Sequence, residues 1–318
     1  QPFPVFRDRS SVLLPSPRAR KAVEQVMAAE GCDRIWYGAA APLGLLGRFE
    51  AERVIGCTQG HEVGWARVPL ARQLLRRIGR QAEALTYLSH YTGDRLQAVL
   101  PAEKLVHLPS GVDTTVFRPG AGGADIRRRH SIEDRPVIVC VSRLVPRKGQ
   151  MRLVQALALV RRTVPDAALL LVGDGPDLVR IRELAGSLGL AQDVVVTGEV
   201  PWEELPAHYD AGDVFAMPCT DRWGGLEVEG LGLVFLEAAA TGLPVVVGRS
   251  GGASDTVQDG VTGHLVDGSS VEDLAGRLAT VLADPVAARA MGAAGRTWME
   301  QQWQWDVLAQ KVEGLIRG

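Results

Sequence analysis

Apolar residues in this chain fall into short unbroken runs, separated by stretches where they recur with helical spacing. In order the runs are RIWYGAA from Arg34, RVIGCT from Arg53, ALTYLS from Ala84, KLVHLP from Lys104, PVIVCVS from Pro136, ALLLVG from Ala168, DVVVTG from Asp193, DVFAMP from Asp213 and LPVVVG from Leu243. Continuous rather than alternating runs predict strands covered on both faces, as in parallel sheets. The intervening stretches predict amphipathic helices. The first follows Ser16-Pro17-Arg18, with a capping serine, proline in the first turn, and Ala19, Ala22, Val23, Val26 and Met27 on one face. Alternating strands and helices predict an α/β protein with doubly wound sheets.

The periodicity breaks at GVDTTVFRPGAGGADIRRRH, residues 111–130, where glycine, proline and charge take over. This predicts a linker between two Rossmann-like domains. The expected division is an N-terminal domain over 1–115, a C-terminal nucleotide-sugar domain over 116–302, and a closing helix over 303–318 that packs back on the first. The opening QPFPVFRDRS is irregular, and no strand–glycine loop–helix unit precedes the first helix, so the first domain reads as lacking its first βα unit.

Composition narrows the class. With 318 residues, 46% hydrophobic and 23% charged, the chain has an ordinary globular makeup. A net charge of −2 gives no overall bias toward nucleic acid. Cys32, Cys57, Cys140 and Cys219 lack metal-ligand spacing and read as free thiols of a reducing compartment. No run is long enough for a membrane span and no signal peptide opens the chain, so a cytoplasmic protein is expected, with a peripheral place on a membrane still open.

Candidate chemistry lies in the loops that follow strands. VSRLVPRKGQ, residues 141–150, puts Arg143, Arg147 and Lys148 at the carboxyl end of a sheet, where a guanidinium fork and an ammonium suit a diphosphate. A solvated basic loop accounts for the same residues. LVGDGPD, residues 171–177, lets backbone approach a ligand at Gly173, and equally reads as a plain tight turn. EGLGLVFLE, residues 229–237, is the most specific signal: a helix from Gly232 to Ala240 closes at Gly242, with Glu229 in the loop before it and Glu237 inside it. The backbone N–H groups of Gly232, Leu233 and Val234 would form an anion site at its start. The bland alternative is a buried Glu237 satisfied by a structural arginine. A glycosidase carboxylate pair is disfavoured because both glutamates belong to one segment. No D-x-D pair occurs, so no metal is indicated.

Two features fall in the N-terminal half. TQGHEVGW, residues 58–65, offers His61 and Glu62 for acid–base or hydroxyl-binding work, or for local backbone groups only. VPLARQLLRRIGRQ, residues 68–81, carries Ala71, Leu74, Leu75 and Ile78 on one face, with Arg67, Arg72, Arg76, Arg77 and Arg80 on the rest. Such a helix lies on anionic lipid or packs its apolar side on the sheet.

Together these residues resemble the retaining GT-B glycosyltransferases of family four, and within them the GDP-mannose-dependent mannosyltransferases that make phosphatidylinositol mannosides in actinobacteria. The likeness runs from near residue 11 to the C-terminus. It rests on WYGAAAPLGLL (36–46), GHEVGW (60–65), LPSGVD (108–113), SRLVPRKGQ (142–150), DVFAMPC (213–219), the E-x₇-E segment in VEGLGLVFLEA (228–238), SGGA (250–253) and MGAAGR (291–296). The resemblance implies two Rossmann-like domains facing across a cleft. Arg143 and Lys148 would grip the donor diphosphate in place of a metal, with no other cofactor. Glu229 would hold hydroxyls of the transferred sugar and Glu237 the nucleotide ribose. Gly232, Leu233 and Val234 would offer N–H groups, and the loop ending at Val200 would lie near the base. The acceptor would be a lipid-linked inositol mannoside, making residues 67–80 a contact for an anionic membrane on its inner face. Two departures stand out. The family's opening strand, diglycine loop and helix precede the point where this chain starts, and its T-H-G-H-E reads Thr58-Gln59-Gly60-His61-Glu62, leaving Gln59 and His61 as the acceptor-side pair. A related transferase with another acceptor or nucleotide sugar, and a non-catalytic nucleotide-binding homologue, remain open beside this reading.

Overall fold

The structure, a computed structural model, describes residues 4–7 and 13–318, so most of the irregular opening lies outside the described residues. The chain divides into two compact units. One comprises Gln1–Pro109 with Ala309–Gly318, the other Ser110–Leu308.

The first unit is built on a parallel sheet of β1 (Arg34–Tyr37), β2 (Arg53–Cys57), β3 (Ala84–Tyr87) and β4 (Leu105–His107), hydrogen-bonded in that order. Its first helix, Pro17–Glu30, starts as the sequence predicts: Ser16 Oγ accepts from the Ala19 N–H at 3.2 Å and Pro17 occupies the first turn. Val23 and Met27 pack on the unit's core, while Ala22 is exposed. The helix Pro69–Gln81 buries Leu75 and Ile78 against the sheet and leaves Arg72, Arg76, Arg77 and Arg80 in solvent.

The second unit carries β5 (Val137–Val141), β6 (Ala168–Val172), β7 (Val194–Val196), β8 (Val214–Met217), β9 (Val245–Gly248) and β10 (Gly263–Val266), all parallel in the order β10-β9-β8-β5-β6-β7. Every residue of β5, β6, β8 and β9 is buried, which explains their unbroken apolar spelling. The edge strand β10 was not expected. Its GHLV offers little apolar signal, and Gly263 is needed because a Cβ there would come within 2.0 Å of the Val245 carbonyl oxygen. Cys140 and Cys219 are free and buried, and burial pushes both thiols up to about 12. Among the described residues no helix is long and apolar enough to cross a membrane.

The expected linker is a correction. Residues 111–130 belong to the second unit, and Gly123–Arg129 within them is a helix whose Ile126 is buried. Asp210 fastens this segment: its carboxylate accepts from the N–H groups of Gly120, Gly122 and Gly123 at 2.8, 3.1 and 2.7 Å. Glycine-rich composition signals irregular backbone, but its hydrogen-bond partner is supplied 87 residues away. The closing helix, Trp305–Arg317, starts beyond the expected boundary at 302 and is divided between the two units after Leu308. Trp303 and Gln304 hold Val112 and Thr114 in the second unit, by a 2.8 Å bond from Val112 N–H to the Trp303 carbonyl and a 2.7 Å bond from Gln304 Nε2 to Thr114 Oγ1. The helix end groups with the first unit, where the Leu315 carbonyl accepts from Arg53 Nε.

Removing the Asp210 carboxylate should leave several backbone donors without a partner. Asp210→Ala is expected to cost about 1–3 kcal/mol, read as a lowered urea midpoint, with Asp210→Asn recovering part. An unchanged midpoint would show that the segment is held by other means.

Candidate donor site

In the second sheet β5 sits between β6 and β8, so the strand order reverses beside it. Loops leaving the carboxyl ends of β5 and β8 diverge at such a point and form a crevice suited to ligands. The loop after β5 turns through Pro146–Lys148 to Gly149, whose φ of +81° favours glycine. A Cβ on Gly149 would lie 2.4 Å from the Pro218 carbonyl oxygen, so the loops after β5 and β8 pack directly together.

That packing joins Lys148 to Glu229. Glu229 Oε2 accepts from Lys148 Nζ at 2.6 Å and from Arg147 Nη1 at 2.6 Å, with the lysine and glutamate side chains only 11% and 9% exposed. Burying either charge alone would be costly, and with Glu227 3.6 Å from Arg147 Nε the two cations face two carboxylates. The Glu229 backbone is held as firmly: its N–H donates to Ser250 Oγ at 3.1 Å, and its carbonyl accepts from Gly252 N–H at 2.8 Å. Ser250 Oγ in turn donates to Asp221 Oδ1 at 2.7 Å.

The helix after Glu229 runs over Leu233–Ala240, with Gly232 as its cap at φ +89° and Gly242 just beyond its end at φ +84°. Among the described residues the N–H groups of Gly232, Leu233 and Val234 have no acceptor, as the first turn of any helix requires unless something caps it. Glu237 projects from this helix toward Tyr209, whose hydroxyl donates to Glu237 Oε2 at 2.5 Å. Tyr209 is fully buried, its ring edge-on to Phe117 at 5.6 Å. Burial raises the Glu237 carboxyl above its ordinary range, and the Tyr209 hydroxyl pulls it partly back.

Arg143 lies apart from this cluster. Its side chain is exposed and unpaired among the described residues, and it lines a recess of about 370 Å³ with Gly173, Asp174, Gly175 and Glu199. Gly173, at φ +132°, approaches the β5 loop so closely that a Cβ would meet the Ser142 carbonyl oxygen at 2.3 Å. Its N–H donates to the Gly198 carbonyl at 2.9 Å, which brings the loop holding Glu199 beside the recess. The Val200 side chain packs on the hydrophobic core, leaving only its neighbourhood at the recess.

In the first unit, Gln59 follows β2 and is exposed. Its Nε2 donates to the Gly38 carbonyl at 2.9 Å, and its N–H to Glu62 Oε2 at 2.9 Å. A His61 ring nitrogen lies 2.6 Å from the Ala41 carbonyl. Glu62 is completely buried, and burial raises its carboxyl.

Reading the sequence placed Arg147 in the basic loop as a diphosphate candidate but did not pair it with Glu229, and it assigned no site role to Tyr209 or Ser250. Tyr209 is 28 residues from Glu237 and nothing local marks it. Tyr209→Phe keeps the ring and removes the donor. The Glu237 carboxyl should then titrate still higher by carbon-13 NMR, and the urea midpoint should fall by the equivalent of about 1 kcal/mol. An unmoved Glu237 titration would refute the assigned contact.

Comparison with known proteins shows the family. The family model described as glycosyl transferases group 1 matches residues 124–298. The GDP-mannose-dependent alpha-(1-6)-phosphatidylinositol monomannoside mannosyltransferase of Mycolicibacterium smegmatis is 48% identical over 99% of this chain and 84% of its own length. The Corynebacterium glutamicum protein named for the monoacylated monomannoside is 41% identical over the same shares, 99% and 84%. Among solved structures, Anabaena HepE in complex with UDP has a TM-score of 0.82 at 22% identity, covering 93% of this chain and 81% of that one. Sucrose-phosphate synthase of Thermosynechococcus elongatus has 0.78 at 26%, covering 95% and 77%. With two parallel α/β units of the GT-B type and this degree of kinship, the chain belongs to the glycosyl transferases group 1 family.

Proposed function

We propose that the protein is a retaining α-mannosyltransferase that moves mannose from GDP-mannose to a phosphatidylinositol mannoside-type glycolipid. One observation carries this reading beyond kinship: both glutamates are half engaged. Oε2 of Glu229 and Oε2 of Glu237 are anchored by the protein, while Oε1 of each takes no hydrogen bond among the described residues. Each carboxylate is oriented by one oxygen and offers the other to a hydroxyl. Between them lie the open N–H groups of the helix start, and beside them the cations of the β5 loop. A sugar at Glu229, a diphosphate at the helix start and a ribose at Glu237 use all three. The relatives at 48% and 41% identity carry this donor and acceptor class in their names.

In the proposed step the bond from the anomeric carbon to the diphosphate oxygen breaks. A bond to the acceptor hydroxyl oxygen forms on the same face. The acceptor's proton passes to the departing diphosphate oxygen. Negative charge grows on that diphosphate, and Arg143, Lys148 and the N–H groups of Gly232, Leu233 and Val234 stabilise it. Lys148 gives one N–H to Glu229 and keeps two. In this reading no divalent ion takes part. Gly173 and the loop to Val200 border the nucleotide. On the acceptor side, Gln59 gives one amide N–H to Gly38 and keeps the other, with its carbonyl oxygen, for a hydroxyl, with His61 beside it. The enzyme would work as a peripheral protein on the inner face of the plasma membrane. The exposed Arg67, Arg72, Arg76, Arg77 and Arg80 support this, with Leu75 and Ile78 buried and Val68 and Leu70 exposed at the helix start.

A donor panel of GDP-mannose, GDP and UDP-glucose, with lipid, polysaccharide and small-glycoside acceptors, tests the reading. Transfer from GDP-mannose to the inositol-mannoside lipid is expected, and transfer to another acceptor only would replace it. Arg143→Ala should weaken GDP-mannose binding by at least about tenfold by calorimetry, and unchanged binding would remove Arg143 from the phosphate site. Because burial raises Glu237, donor affinity should fall as pH drops through that raised value, and Glu237→Gln should abolish this limb. The sign for stability is opposite: a raised carboxyl favours the fold below its unfolded pKa, and that contribution is lost as pH rises through the folded value. Glu237→Gln should therefore also flatten the stability–pH curve in this window, measured by urea unfolding.

A further inference from the structure

The loop between Glu229 and β8 ends in a feature the donor site does not use. Arg222 and Glu227 pair as an antiparallel bridge, closed by bonds of 2.9 Å from Arg222 N–H to the Glu227 carbonyl and 3.3 Å in return. The tip between them turns through three consecutive left-handed residues, Trp223 at φ +50°, Gly224 at +63° and Gly225 at +81°. Glycine takes this conformation freely, but a bulky L-residue avoids it. Trp223 nevertheless occupies it with its side chain outward, 71% exposed, next to Leu226 at 68%. Other exposed indoles have a packed side: Trp202 meets Phe117 edge-on at 5.6 Å, and Trp305 covers Gly111. Among the described residues Trp223 has only the Arg222 guanidinium, 4.8 Å from its ring centroid. Neither packing nor backbone preference accounts for tryptophan here, and strain retained in that way points to a role outside the fold.

We propose that the tip Trp223–Leu226 is a wedge that enters the polar–apolar boundary of a phospholipid bilayer. This rests on the reading of the acceptor as a membrane lipid. Tryptophan favours that boundary, and Arg222 held against its face sets a cation at headgroup depth while Leu226 enters beside it. The patch is two side chains, far short of the roughly 800 Å² per partner that a stable protein interface buries. A sugar-stacking platform would leave Leu226 without a purpose. The tip is also tied to the donor site: Glu227 accepts from Arg222 Nη1 at 3.2 Å and lies 3.6 Å from Arg147 Nε, and Arg147 holds Glu229. The wedge would thus hold the donor site of this unit at the surface where the lipid headgroup stands. It is distinct from the arginine helix of the first unit, because it needs no anionic lipid.

The test is sedimentation with neutral phosphatidylcholine vesicles at high salt, where arginine–phosphate attraction is screened. The wild-type chain should bind, and Trp223→Gly with Leu226→Ser should lose at least about tenfold in partitioning, the scale of one large apolar side chain returned to water. Trp223→Gly alone should keep or raise Tm, since glycine relieves the left-handed strain. Failure of the wild type to bind, or unchanged binding by the double variant, overturns the wedge. So does a marked fall in Tm for Trp223→Gly, which would make the indole a packing residue. Retained vesicle binding with lost transfer to a water-soluble acceptor would make it a sugar contact instead, also overturning it. Vesicle binding is measured without donor, so an absence of mannosyl transfer counts against the proposed reaction and leaves this result standing.

Discussion

The candidate donor site is organised around one buried carboxylate. Glu229 cannot be removed from water without cations, and its cations are Lys148 and Arg147 of the loop after β5. Satisfying it therefore draws together two loops that leave neighbouring strands and are 81 residues apart. Gly149 permits that approach, because any side chain there would strike Pro218. Once the loops meet, the helix that follows Glu229 is fixed with its open N–H groups at the same sheet edge.

The same cluster leaves polar atoms open to the proposed donor. Among the described residues Glu229 and Glu237 are each tied by one oxygen, Lys148 keeps donors to spare, and Arg143 is unpaired beside its recess. Tyr209 plays for Glu237 the part that Lys148 and Arg147 play for Glu229, with a neutral hydroxyl in place of charge. The difference has a consequence: without a cation, burial lifts the Glu237 carboxyl above its ordinary range.

Much of this was legible in the sequence because strand burial writes itself locally. A strand covered on both faces must be apolar at every position, and β5, β6, β8 and β9 are spelled that way. The helix of Leu233–Ala240 announces both ends through Gly232 and Gly242. Where partners are remote the reading failed. Residues 111–130 look like a linker until Asp210 supplies their acceptor, and β10 is invisible until β9 pairs with it.

By itself, then, the sequence determined the class of fold, the loops that carry charge, and the two glutamates at either end of one helix start. Each follows from the chemistry of residues close together in the chain. Tertiary structure alone decided that Lys148 and Arg147 belong to Glu229, that Tyr209 belongs to Glu237, and that Trp223 stands in solvent in a left-handed turn. The physical reason is that a buried charge or hydroxyl accepts any partner of the right kind, and only the packed sheet selects which distant side chain reaches it.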